Sequence, residues 1–89
     1  MRVVLASLTR ASGSPHRAET LAVVTDLLWA HALPEDGLEH VKPRSTDCGI
    51  DLYLFVRADG DDPAVAQMRP LLDRARRSIA AQGYLVPAP

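Results

Sequence analysis

The segment from Thr9 to Arg17 carries the densest group of side chains that could bind an anion. Arginine, serine and histidine precede a predicted helix here, and free N–H groups at a helix N-terminus attract negative charge. The alternative interpretation is helix capping alone, with Ser14 as the N-cap and Pro15 in the first turn. The candidate anion- or ligand-binding residues are Arg10, Ser12, Ser14, His16 and Arg17.

The histidines and the single cysteine form no pattern typical of a catalytic or metal site. His16, His31 and His40 are dispersed along the chain, and Cys48 has no local base or short-spaced partner. Zinc sites and reactive thiols both need such neighbours. We therefore expect no metal, no cofactor and no catalytic residue, and the balance favours a protein that is not an enzyme.

Aromatic side chains on one predicted strand point instead to binding. Residues 50–57 alternate, so that Tyr53 and Phe55 project away from the apolar face, flanked by Asp51 and Arg57. Exposed aromatics on a sheet often mark a contact surface. The alternative is that a loop or the C-terminal tail covers them.

Trp29 lies about 120° from the centre of the apolar face of its predicted helix. It either fills the groove beside the second helix or projects as an interface anchor. The predicted partner-binding residues are Asp51, Tyr53, Phe55, Arg57 and Trp29.

These residues are positioned by six predicted elements. Strands are predicted over residues 2–9 (a short apolar run, predicted to be buried), 38–46 (a weak strand pattern) and 50–57, with a last short strand over 84–86. Helices are predicted over 15–33 and from Pro63, with Asp62 as its cap and a kink or restart at Pro70. This order predicts an α+β fold: a ferredoxin-like βαββαβ two-layer sandwich, sheet order 4-1-3-2, with both helices on one face. Pro43 places the second strand at an edge.

Composition limits the classes of partner. The chain has 89 residues, enough for a single domain over 1–89, and its net charge is −1. With no second cysteine it forms no internal disulfide, and no apolar run is long enough for a membrane span, so we expect a cytoplasmic protein without membrane contact.

Nucleic acid is a minor alternative. Tyr53–Val56 resembles the third-strand signature of RNA recognition motifs, which stack bases on sheet aromatics. Val4 stands where the first-strand aromatic would be, and Asp51 adds negative charge to the same face. Nucleic-acid-binding domains usually carry a basic footprint, which a net charge of −1 does not supply.

The leading hypothesis is a small non-catalytic binding or accessory module. It associates through the open sheet face, as a homodimer or with another protein. The second hypothesis is a small dimeric enzyme or ligand-binding regulatory domain with a pocket between sheet and helices. In that case His40, Asp51, Tyr53 and Arg57 would project together for acid–base chemistry.

Overall fold

The computed structural model describes residues 1–11 and 19–87. These residues form four strands and two helices, together with a 3₁₀ turn over Pro34–Asp36. Their bounds are β1 Arg2–Arg10, α1 Glu19–His31, β2 Leu38–Ser45, β3 Gly49–Val56, α2 Asp61–Ala80 and β4 Tyr84–Leu85. The predicted start of the first helix at Pro15, with its cap at Ser14, lies outside the described residues.

The strands form one antiparallel sheet in the order β2-β3-β1-β4. Counted from the β4 edge, these are the neighbours of the order 4-1-3-2, so β1 and β3 are central. Pro43, which has no N–H to donate, lies in the edge strand β2 as predicted. β4 pairs only with Thr9 and Arg10, so the sheet is three strands wide over most of its length.

Both helices cover the same face of the sheet. Ile50, Leu52, Leu54 and Val56 of β3 are fully buried, as the alternation predicts. They share one core with Val24 and Leu28 of α1 and with apolar residues of α2: Ala64, Met68, Leu71, Ala75 and Ile79. Burial of this apolar surface is the main stabilising contribution.

Only half of β1 belongs to that core, which corrects the expectation of a fully buried strand. Ala6 and Leu8 are buried and Val4 packs partly against the core. Val3 and Leu5 alternate with them and stay 52% and 53% exposed. Apolar residues occur on both sides of this strand. Its sequence therefore lacks the alternation of apolar and polar residues that would indicate which side is buried.

The second helix differs from its prediction at its start and at Pro70. Gly60, in extended conformation, is the N-cap, and Asp61 and Asp62 lie in the first turn, where they interact favourably with the helix dipole. The helix continues through Pro70 rather than restarting there. Pro70 has no N–H to donate to the Ala66 carbonyl, and Ala66 lies on the exposed side of the helix, where water is accessible.

A polar cluster joins the end of α1, the 3₁₀ turn and α2. The Asp36 carboxylate, almost completely buried, accepts hydrogen bonds from the Leu33 N–H (2.8 Å) and from the Arg74 guanidinium. Arg74 Nε also donates to the His31 carbonyl (3.1 Å). Gln67 Nε2 donates to the Asp36 carbonyl at 3.0 Å. Together these bonds hold the 3₁₀ turn, which reverses the chain before β2, against the middle of α2.

Within the described ranges, no helix is both long and apolar enough to cross a membrane.

We expect Asp36→Asn to lower the free energy of unfolding by about 2 kcal/mol, because the Arg74 charge loses its ionic partner in a largely buried setting. The matched control is Asp73→Asn. Asp73 pairs with Arg76 on the surface of α2 at 3.0 Å, and its loss should cost about 0.5 kcal/mol or less. Urea unfolding measures both values, and equal losses would contradict the role given to Asp36.

Gly49 begins β3 where the chain leaves no room for a side chain. A Cβ atom there would lie 1.9 Å from the Leu8 carbonyl oxygen, a backbone atom of the neighbouring strand. Gly49→Ser should therefore destabilise the fold by about 2–3 kcal/mol. Gly60→Ser is the matched control, since its Cβ meets only Pro63 at 3.5 Å and serine is a good N-cap. Thermal unfolding should show the Gly60 variant unchanged or slightly stabilised, and a stable Gly49 variant would refute the close approach.

Candidate functional site: the open sheet face

The sheet face opposite the helices is uncovered by the described residues. Strand alternation and register place the same rows of β2, β3 and β1 side by side on it. The outward-facing residues, named the open face from here on, are Val3, Leu5, Ser7, His40, Lys42, Arg44, Asp51, Tyr53 and Phe55. A β-bulge at the start of β2, between Leu38 and His40, gives that strand its register.

The first row contains His40, Phe55 and Val3. The imidazole of His40 packs on the Phe55 ring, with centroids 5.4 Å apart and planes tilted by 49°. This contact leaves Phe55 half-buried rather than fully exposed. The ring of His40 is therefore used as an apolar cover for an aromatic neighbour.

The second row contains Lys42, Tyr53 and Leu5. Together with the first row it surrounds a shallow depression of about 440 Å³. The depression is lined by Val3, Lys42, Pro43, Arg44, Tyr53 and Phe55. Its floor is apolar and aromatic, and its cations come from β2 alone.

The third row ends the apolar surface. Here Arg44, Asp51 and Ser7 lie side by side, and the Ser7 hydroxyl donates to Asp51 Oδ1 at 2.9 Å. Asp51, one of the predicted partner-binding residues, thus has a neighbour in its own sheet. The row forms a polar border beside Tyr53.

The C-terminal tail does not cover the open face as far as Pro87, the last residue described. Val86 is buried, and its carbonyl accepts a hydrogen bond from Arg76 of α2 at 2.9 Å. Pro87 lines a separate groove between β1 and α2. The alternative that the tail shields Tyr53 and Phe55 therefore has no support in residues 19–87.

Arg57 and Trp29 belong to a different surface. Arg57 donates to Glu39 Oε1 at 3.2 Å, and both residues line a depression of about 320 Å³ beside the start of β2. Trp29, 42% exposed, lines the same depression together with Leu33 and Pro34. The predicted partner-binding residues are thus divided between two surfaces.

The residues suggested for acid–base chemistry are not brought together. His40 lies in the row of Phe55, whereas Asp51 lies four residues along β3, about 13 Å away at the usual rise per residue. Arg57 is paired with Glu39. Among the residues described, no three His, Cys, Asp or Glu side chains are grouped so as to hold a metal ion.

Of the predicted anion-binding residues only Arg10 is described. It ends β1, and its backbone N–H donates to the Cys48 carbonyl at 2.8 Å. Ser12, Ser14, His16 and Arg17 lie outside the described residues, and the anion site stays a prediction.

Sequence reasoning missed five residues of the open face. Val3 and Leu5 supply its aliphatic part, Lys42 and Arg44 its cations, and Ser7 the hydroxyl that binds Asp51. The signal available for the β2 pair was the alternation of Lys42 and Arg44 with Val41 and Pro43, which indicates an outward-facing polar row. The antiparallel register then places that row beside Tyr53.

No protein-family model, curated protein or solved structure matches the chain.

Trp29 is the only tryptophan, so tryptophan fluorescence reports on the depression that Trp29 shares with Leu33 and Arg57. Because its indole is partly exposed, we expect acrylamide to quench its emission substantially in the native protein. Leu33→Ala should increase the quenching, since Leu33 shares the depression with Trp29. Emission that resists acrylamide would show that this depression is closed or occupied in solution.

Proposed function

We propose that this chain is a small non-catalytic binding module that associates with a protein partner, most simply a second copy, through the open face. The observation that carries the proposal is the continuous apolar and aromatic surface formed by Val3, Leu5, Tyr53 and Phe55. Removing such a surface from water favours association.

In a single copy, residues 1–11 and 19–87 leave this surface in contact with water. Two helices cover one face of the sheet and the described tail lies on the helix side. Val3 and Leu5 remain about half exposed beside two half-buried rings. A partner that packs on them gains apolar burial and aromatic contacts without any change in the core.

We also propose a ferredoxin-like arrangement for the fold. Its support is the element order together with the two central strands β1 and β3 and the antiparallel pairing of every neighbour. An open sheet face is a direct consequence of that arrangement. The fold by itself assigns no activity, so the proposed function depends on the surface residues.

The proposal predicts that Tyr53→Asp and Phe55→Asp abolish or weaken self-association by at least tenfold and leave the monomer folded. A carboxylate in either position would have to be desolvated in the interface, whereas neither ring belongs to the core. Light scattering and sedimentation across a concentration series measure the mass, and circular dichroism checks the fold.

The matched control is Val23→Asp, which makes the same change to an exposed apolar residue of α1 on the helix side. It should associate like the wild-type chain. A wild-type protein that stays monomeric across the series, or aspartate variants that associate as well as the wild type, would contradict association of this chain through the open face.

A further inference from the structure

The open face divides into an apolar half and a basic edge. β1 and β3 contribute its aliphatic and aromatic residues, whereas β2 contributes His40, Lys42 and Arg44. Within residues 1–11 and 19–87, neither Lys42 nor Arg44 forms an ion pair. Glu39 of β2 is paired with Arg57, and the acidic residue of the open face, Asp51, lies on the border of the apolar half.

Two copies whose strands stay aligned can stack these faces with twofold symmetry in two ways. If the axis runs along the strands, between β1 and β3, then β3 of one copy lies over β1 of the other. If the axis crosses the strands, each strand lies over its own counterpart with reversed direction, and β2 lies over β2.

The charges of β2 distinguish these two arrangements. The crossed axis brings the His40, Lys42 and Arg44 edges of both copies together in one interface, where like charges repel. The axis along the strands places each β2 opposite the β4 position of the other copy. β4 pairs only with Thr9 and Arg10, so no strand of the described residues lies opposite Lys42, and this arrangement leaves the β2 cations in water.

We propose that two copies associate about an axis parallel to the strands, so that the β3 aromatics of one copy pack on the β1 aliphatics of the other. This inference rests on the proposed function and specifies its partner. Because the axis preserves height along the strands, the register puts Tyr53 over Leu5 and Phe55 over Val3 of the second copy. Each ring thereby meets an aliphatic side chain that is half exposed in the single chain.

The size of the contact is that of a weak dimer. With β2 left in water, β1 and β3 form the contact: two strands spaced at about 4.8 Å, each contributing about seven residues at about 3.3 Å, project over roughly 10 Å by 23 Å on each copy. The accessible area of the side chains standing on it exceeds that projection. The total falls in the range below about 1,200 Å² that is typical of weak, transient association.

The two arrangements differ in which pair of equivalent residues, one from each copy, lies closer together. With sheets about 10 Å apart and strands about 4.8 Å apart, the axis along the strands places the two Val3 Cα atoms about 11 Å apart and the two Lys42 Cα atoms about 18 Å apart. A crossed axis centred on the Tyr53 row reverses this order, with about 17 Å for Val3 and about 10 Å for Lys42.

Cross-linking of single-cysteine variants tests the arrangement. Cys48 is exposed and is first replaced by serine. Val3→Cys and Lys42→Cys are then made separately in that background and treated with a short bis-maleimide at a concentration where light scattering shows the dimer. We expect a covalent dimer from Val3→Cys in at least fivefold higher yield than from Lys42→Cys.

A third variant guards against loss of the Val3 contact. Thr9 lies at the far end of β1, outside the apolar rows, so Thr9→Cys leaves those rows intact. The proposed axis keeps the two Thr9 Cα atoms about 11 Å apart, whereas the crossed axis separates them by about 28 Å. We expect Thr9→Cys to cross-link as Val3→Cys does.

The outcomes separate this inference from the function on which it rests. Preferential cross-linking through Lys42→Cys, or a dimeric mass with no cross-link from Val3→Cys or Thr9→Cys, overturns the proposed axis and leaves association intact. A monomeric mass for the Cys48→Ser parent at every concentration overturns self-association, and the axis with it.

Discussion

In the part of the chain that the structure describes, two helices cover only one face of a four-stranded sheet, and the organisation of this protein follows from that constraint. β3 directs four residues into the core and three towards the opposite side. The helices bury the first set completely. No element in the described ranges covers the second, so the same alternation that builds the core also creates the open face.

The helix side of the sheet is stabilised by an ion pair and hydrogen bonds as well as by apolar packing. Asp36 lies in the turn between α1 and β2, and Arg74 lies on α2, 38 residues further along the chain. The arginine bonds both this carboxylate and the last carbonyl of α1, at His31. Gly37 follows in left-handed conformation with φ 74°, and its carbonyl accepts the Arg57 N–H at 2.8 Å. The Arg74 side chain therefore holds the end of α1 next to the turn that leads into β2. Through Gly37, the same turn is bonded to the residue that follows β3.

Sequence patterns predict structural features where neighbouring residues differ in polarity or in backbone hydrogen-bonding capacity. The strict alternation of β3 predicts its buried and exposed sides, and Pro43 predicts an edge strand. β1 lacks such contrast, since Val3 and Val4 are chemically alike, so the half-exposed aliphatics of the site emerge only from the register with β3.

Long-range polar contacts leave even less trace in the sequence. Arg74 is one of four arginines in residues 69–77, and nothing local distinguishes it from the three others. Trp29 and Arg57 illustrate the same limit for the site. The position of a residue on its helix or strand predicts the side of that element on which it lies. It does not predict which residues of other elements share a surface with it. Their common depression depends on how the turn at Pro34–Asp36 folds between them.

The pairing of β1 with β3 joins residues that are 40 to 54 positions apart, from Thr9 with Gly49 to Arg2 with Val56. β2 and β3 meet through a short turn and form locally, whereas β1 must return across the whole of α1 and β2. Closing so long a loop costs chain entropy before any contact compensates for it, which slows folding. Until that step, β3 presents an unpaired apolar edge to solvent, a condition that promotes aggregation of a newly made chain. β1, which leaves the ribosome before β2 and β3, is thus the strand that joins them last.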